Sequence, residues 1–233
     1  MAQATLAVGN KMYSSWSMRP WILLRHFGIP FTEVFIRLRQ PDTRDKALQF
    51  SPTGLVPAFV QGDVRAWESI AIIDTVADLN PRLAIWPRDP VARAHARSMA
   101  AEMHAGFPDL RANCSMNLGK RFAARDRGAK VQADVDRIVA MWTDARQRFG
   151  RGGPFLFGGF TAVDAMYAPV VSRLETYSFP VPKEVRAYMD VVQATPAYQD
   201  WTRAALEEPW VIQASEVDET PIAVLRKREE IAA

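Results

Sequence analysis

Three serines stand in the stretch YSSWSMRPW, residues 13–21, directly ahead of an arginine and a proline. A hydroxyl at a helix start accepts a backbone N–H, and Ser17, just before Met18-Arg19-Pro20, suits that capping role, with proline tolerated in a first turn. Ser14 and Ser15 lie upstream of it, in the turn where the positive end of a helix dipole faces a bound anion. Beside capping, the functional reading is that one of the two donates a hydrogen bond to a bound anion such as a thiolate. In SPTGLVPAFV, residues 51–60, Pro57 opens an apolar strand pattern, where its missing N–H confines it to a strand start or edge. A trans turn proline is the ordinary reading of that feature alone. A cis bond would leave the N–H and C=O of Val56 open to an extended peptide ligand. In WESIAI, Glu68 and Ser69 start a helical pattern and serve as ordinary caps, or else hold an ammonium and a carboxylate at the helix N-terminus.

Other chemistries are excluded. There is no HExxH, GxGxxG, GxSxG or P-loop, and RGGPFLFGGF lacks the Lys-Ser/Thr of a phosphate cradle. His26, His95 and His104 are too far apart for a local metal site, and the single cysteine, Cys114, excludes an intrachain disulfide and any CxxC redox site. No metal is expected. With 29 Lys and Arg dispersed among 26 Asp and Glu, no basic tract points to nucleic acid. The N-terminus lacks a signal core and no apolar run approaches the roughly 20 residues of a membrane span, so a soluble cytoplasmic protein is expected, without membrane partners.

The elements that must position these residues follow from periodicity. ATLAV at 4–8 and FTEVFIRL at 31–38 read as strands, with a helix between them that stops at Gly28. VPAFV and VRAW, joined by QGD, read as a hairpin, followed by the helix of ESIAIIDTVADL. NPRLAIWPRDP, with prolines at 81, 87 and 90, interrupts regular structure and is the linker. Residues 91–118, 129–149, 161–177, 183–194 and 196–206 then show helical spacing. The expected division is therefore an α/β domain at 1–80, a linker at 81–90, an all-helical domain at 91–214 and a charged, loosely wrapped tail at 215–233. Thr161 and Asp164 have the spacing of a capping box and are assigned to folding. Met103, His104, Phe107 and Met116 form a stripe that reads first as core.

The order and spacing of these segments resemble the glutathione transferase family over nearly the whole chain: a serine turn before RPW, SPTGLVPAFV, ESIAI, a proline-rich linker, then GGFTAVDAMYAP, which looks like the family's folding motif at Gly158, Thr161 and Asp164. The resemblance implies an α/β thioredoxin-like N-terminal domain plus an all-α helical C-terminal domain. It also implies glutathione as co-substrate, its cysteinyl backbone at Val56 and Pro57 and its γ-glutamyl end at Glu68 and Ser69. A serine in the first turn would then hold the thiolate. SSWSMR matches the serine type; the zeta-like pattern favours Ser14, and matching backward from the arginine selects Ser15. Arg39, Arg44 or Lys46 would take the glycyl carboxylate, and Trp16, with Met103 and Phe107, would wall the pocket of a small hydrophobic electrophile. Trp16 replaces the cysteine of the zeta-like pattern and Trp21 its second arginine. Thr176 falls where the family's maleylacetoacetate isomerases carry an arginine, with Arg173 one turn earlier. The expected activity is a glutathione transferase acting as a homodimer. A glutathione-dependent isomerase or peroxidase, and a non-catalytic glutathione-fold binding protein, are the competing readings.

Overall fold

A computed structural model describes residues 2–226 together with the backbone of 231–232. The N-terminal part is a four-stranded sheet of β1 (Ala4–Val8), β2 (Phe31–Phe35), β3 (Ala58–Gln61) and β4 (Val64–Trp67) in the order β2-β1-β3-β4. β1 runs parallel to β2 and antiparallel to β3, which pairs antiparallel with β4. The parallel pair requires a crossover, supplied by α1 (Ser15–His26). Gly28, at φ +64°, turns the chain after that helix in a conformation glycine adopts without penalty. α2 (Thr43–Leu48), unmarked by any periodicity, and α3 (Ser69–Leu79) complete this part.

The register does the positioning. Ala7 pairs with Ala58 and Ala58 with Trp67. The turn after β1, the Val56-Pro57 bond ahead of β3 and the Glu68-Ser69 step after β4 therefore come to one end of the sheet. Three segments far apart in sequence are made neighbours by backbone pairing alone.

Among the described residues six α-helices follow: α4 (Pro90–Ala105), α5 (Pro108–Asn113), α6 (Ala129–Phe149), α7 (Ala162–Thr176), α8 (Lys183–Ala194) and α9 (Pro196–Leu206). The single helix expected over 91–118 is two, because Gly106 and Pro108 end α4 and restart the chain, with Phe107 between them at φ +62°. β2 stops at Phe35, short of the expected strand end. α1 is buried over most of its surface, packed against α3 on one side and against α7 and α9 on the other, so both parts of the chain share it as core. The start of α7 is tied by Asp164, fully buried, which accepts from Thr161 N at 2.8 Å, Thr161 Oγ1 at 3.0 Å, Leu156 N at 3.2 Å and Tyr188 Oη at 3.1 Å. Nearby Gly158 has φ +82°, and a Cβ there would stand 2.8 Å from Arg151 O.

The chain after α9 is tied down from Glu208, in the expected helical domain, to Glu216 and Glu219, in the tail expected at 215–233 to wrap loosely. Glu208, nearly buried, accepts from Lys11 N at 2.7 Å, Met12 N at 3.4 Å and Asn10 Nδ2 at 3.3 Å. Glu216 takes Tyr13 Oη at 2.6 Å and Lys120 Nζ at 2.9 Å, while Glu219 takes a two-pronged bond from Arg127. Residues 227–230 and 233 of the expected tail lie outside the described residues. Among the described residues, no helix is long and apolar enough to cross a membrane, and no group of His, Cys, Asp or Glu is placed to hold a metal ion.

Candidate active site

The serine turn opens α1, but its cap is Ser14, not Ser17. Ser14 Oγ accepts from Ser17 N at 3.4 Å and donates to Ser17 Oγ at 2.8 Å. Ser17 Oγ in turn accepts from Gly9 N at 3.0 Å, which ties the end of β1 to the helix. With the helix starting at Ser15, Pro20 falls in its second turn, where its missing N–H leaves the Trp16 carbonyl without the usual donor four residues on. Ser15 has a different set of contacts. Its Oγ accepts from Arg173 Nη2 at 3.4 Å, across from α7, so its own O–H is not consumed by that bond.

Two cavities flank the turn. One of about 570 Å³ is lined by Tyr13, Ser14, Ser15, Trp16, Arg39 and Arg44 among others; a second of about 320 Å³ is lined by Thr53, Pro57, Trp67 and Glu68. Trp16, Leu55 and Val56 belong to both. The Val56-Pro57 bond is cis, and Val56 precedes β3, so its backbone lies outside the ladder. Glu68 sits at the head of α3 with φ +68°, a left-handed conformation costly for a side chain with a Cβ and of the kind that collects at ligand clamps. Its carboxylate makes no capping bond and stands 3.6 Å from His104 Nε2. A larger groove, about 650 Å³, lies apart at the α3–α4 junction beside Trp86, Arg88 and Arg93 and contains none of these residues.

Some expected site residues are not at the cavities. Ser69 is fully buried with its Oγ accepting from Arg19 Nη1 at 3.2 Å, and it lines neither cavity. Met103 and Phe107 are buried in the core and line neither cavity. Lys46 pairs with Asp42 at 2.7 Å on the surface, whereas Arg39 and Arg44 reach the larger cavity. Cys114 is buried, and burial pushes its thiol up to about 11, which leaves it unreactive at neutral pH.

Sequence reasoning did not single out Tyr13, Arg19 or Arg111. Tyr13 lines the larger cavity but its hydroxyl is fixed between Glu216, to which it donates, and Arg226, from which it accepts at 2.8 Å. Trp16 is bracketed by Arg19, 4.3 Å from the ring centroid, by Arg111 at 5.0 Å and by His104 edge-on at 5.1 Å. Arg19 is three residues on from Trp16 along α1, a spacing that puts both on one face, whereas Arg111 and His104 come from α5 and α4, and no local spacing announces them.

The glutathione S-transferase N-terminal domain model matches residues 13–79, from the serine turn to the end of α3, and the C-terminal domain model matches residues 123–204. The chain belongs to the glutathione S-transferase family. A probable maleylacetoacetate isomerase from Caenorhabditis elegans is 29% identical over 103 residues, covering 42% of this chain and 48% of that protein. Protein IN2-1 homolog A from Oryza sativa subsp. japonica is 25% identical over 169 residues, covering 71% of this chain and 63% of that protein. The matches thus span about half of the first relative and less than two thirds of the second. A crystal structure of a glutathione transferase homolog from Burkholderia gl BGR1, with bound glutathione, superposes with a TM-score of 0.66 at 22% identity, covering 87% of this chain and 98% of that one. That likeness shows the fold.

Proposed function

We propose that the chain is a glutathione-dependent transferase in which Ser15 holds the thiolate, and that glutathione lies across the two cavities. The cysteinyl backbone pairs with Val56, the γ-glutamyl end meets Glu68 and the α3 N-terminus at Ser69, and the glycyl carboxylate faces Arg39 and Arg44. Cavities of this size suit a tripeptide and a small partner. The observation that carries the choice of serine is the accounting of hydrogens: Ser14 gives its proton inward to Ser17, while Ser15 accepts from Arg173 and keeps its proton to donate. A free thiol has a pKa near 8.5, so lowering it by about two units, about 2.7 kcal/mol, makes thiolate the main form at neutral pH. A hydroxyl donor and the N-terminus of α1 supply stabilisation of that order.

The thiol proton leaves to water. The thiolate attacks an electrophilic carbon held against the Trp16 indole, forming a C–S bond as the leaving group departs or the acceptor bond opens. A small hydrophobic electrophile fits the apolar rim of Trp16, Leu55 and Trp67. A homodimer as the working unit and a cytoplasmic setting are part of the same reading, supported by family membership. A second reading, isomerisation with glutathione regenerated, is favoured by the match to the probable isomerase and by Arg173 facing the turn; product analysis separates it, since an isomerase consumes no glutathione.

The test is the ultraviolet thiolate absorbance of bound glutathione against pH. S15A should raise the thiol pKa by about one unit or more, and S14A, which removes a cap, should cost about 1 kcal/mol of stability with a smaller change in the thiol. The reverse ranking would return the role to Ser14.

A further inference from the structure

Three arginines from three helices converge behind the serine turn. Arg19 of α1 is fully buried, Arg173 of α7 is 5% exposed, and Arg111 of α5 is half-buried. Among the described residues none of the three forms an ion pair. Arg111 spends its hydrogen bonds on Gly106 O and Met103 O. Arg173 donates to Cys114 O at 2.9 Å, to Pro169 O at 3.4 Å and, through Nη2, to Ser15 Oγ at 3.4 Å. Arg19 gives Nη1 to Ser69, while its buried Nε and Nη2 find no acceptor.

A buried guanidinium without an ion-pair partner is strongly unfavourable, and although Arg19 and Arg111 stack on Trp16, that stacking does not account for Arg173. Burial lowers all three pKa values; Arg111 and Arg173 lower that of Arg19 further and Arg111 that of Arg173, while Asp134 acts to raise Arg111 and Glu68 to raise Arg19, yet a guanidinium keeps its proton at neutral pH. The cluster is therefore a fixed positive region at the seam between the sheet part and the helical part, and it meets the cavity through Ser15, which Arg173 holds, and through Trp16, on which Arg19 and Arg111 stack.

Resting on the reading that Ser15 meets the sulfur, we propose that Arg173 is a positioning residue: it reaches from the helical part to hold the Ser15 oxygen so that the hydroxyl proton points at the sulfur, and with Arg19 and Arg111 it supplies the positive field that favours the thiolate. Thiol activation is then shared between the two parts of the chain. No proton passes to an arginine. A hydroxyl that accepts a charge-assisted bond is also a stronger donor, because the two bonds polarise each other.

The experiment uses the full chain with glutathione and reads thiol pKa and glutathione affinity separately. R173Q should raise the thiol pKa by about one unit, a tenfold loss of thiolate below that pKa, with the dissociation constant at low pH within about twofold of wild type. R173K keeps the charge without the planar fork and should fall in between. In an S15A background R173Q should shift the thiol by less than it does alone, since the shared route is gone. Where thermal melts show R173Q unfolded, R173K decides, and a measurable rise supports the proposal. An unchanged thiol pKa in folded R173Q or R173K, with S15A raising it, overturns the role of Arg173 and leaves the serine reading standing. No shift in S15A itself removes the reading beneath it.

Discussion

Ser14 and Ser15 are neighbours in sequence with opposite hydrogen-bond accounts, and the difference lies outside their segment. Ser14 closes a local loop with Ser17, which is itself pinned by Gly9 at the end of β1. Ser15 answers to Arg173, 158 positions away. A sequence read by local spacing sees three hydroxyls before RPW and can rank them only by pattern, which is why the cap falls on Ser17 there and on Ser14 in the structure. The proposed contact with the glycyl carboxylate shows the same limit. Arg39, Arg44 and Lys46 are equivalent by spacing, but Lys46 is engaged with Asp42 whereas Arg44 reaches the cavity. R44A should therefore weaken glutathione about tenfold in a calorimetric titration, the cost of a charge-assisted hydrogen bond, and K46A should stay within about twofold.

At the scale of elements, the strands, the hairpin and most helices were legible because their apolar positions follow periods of 2 and 3.6, bounded by Gly28 and the proline-rich linker. The break between α4 and α5 was carried by Gly106 and Pro108 and was overrun by an otherwise continuous helical pattern. The Thr161-Asp164 pair was legible as a capping box, but its depth was not: Asp164 gathers four donors, and burial pushes its carboxyl up to about 6 from the ordinary 3.8. D164A should cost about 3 kcal/mol or more, because buried donors at Thr161, Leu156 and Tyr188 lose their acceptor. The sign of its pH dependence follows from the raised value. The folded state binds this proton more tightly than the unfolded chain, so Asp164's contribution is full below about pH 4 and declines, by about 3 kcal/mol, as pH rises through about 6. Urea unfolding of wild type and D164N across that range should show the wild-type advantage shrinking with pH; a constant difference would mean the carboxyl titrates normally.

For the whole molecule, α1 is the shared wall. The sheet's register brings Val56-Pro57 and Glu68-Ser69 to its N-terminus, while α7 and α5 bring Arg173 and Arg111 behind it. The segment after α9 closes over the same loop, with Glu208 on the backbone of Lys11 and Met12 and Glu216 on Tyr13. The site is therefore held from both parts of the chain, an assembly no single stretch of sequence displays, since Arg19, Arg111 and Arg173 come from α1, α5 and α7. The direct test of the account is a crystal structure of this chain with glutathione bound. It should place the sulfur within about 3.5 Å of Ser15 Oγ, with Arg173 still on the far side of that oxygen. A sulfur beyond hydrogen-bonding reach of Ser15, whether nearer Ser14 or facing neither serine, would contradict it.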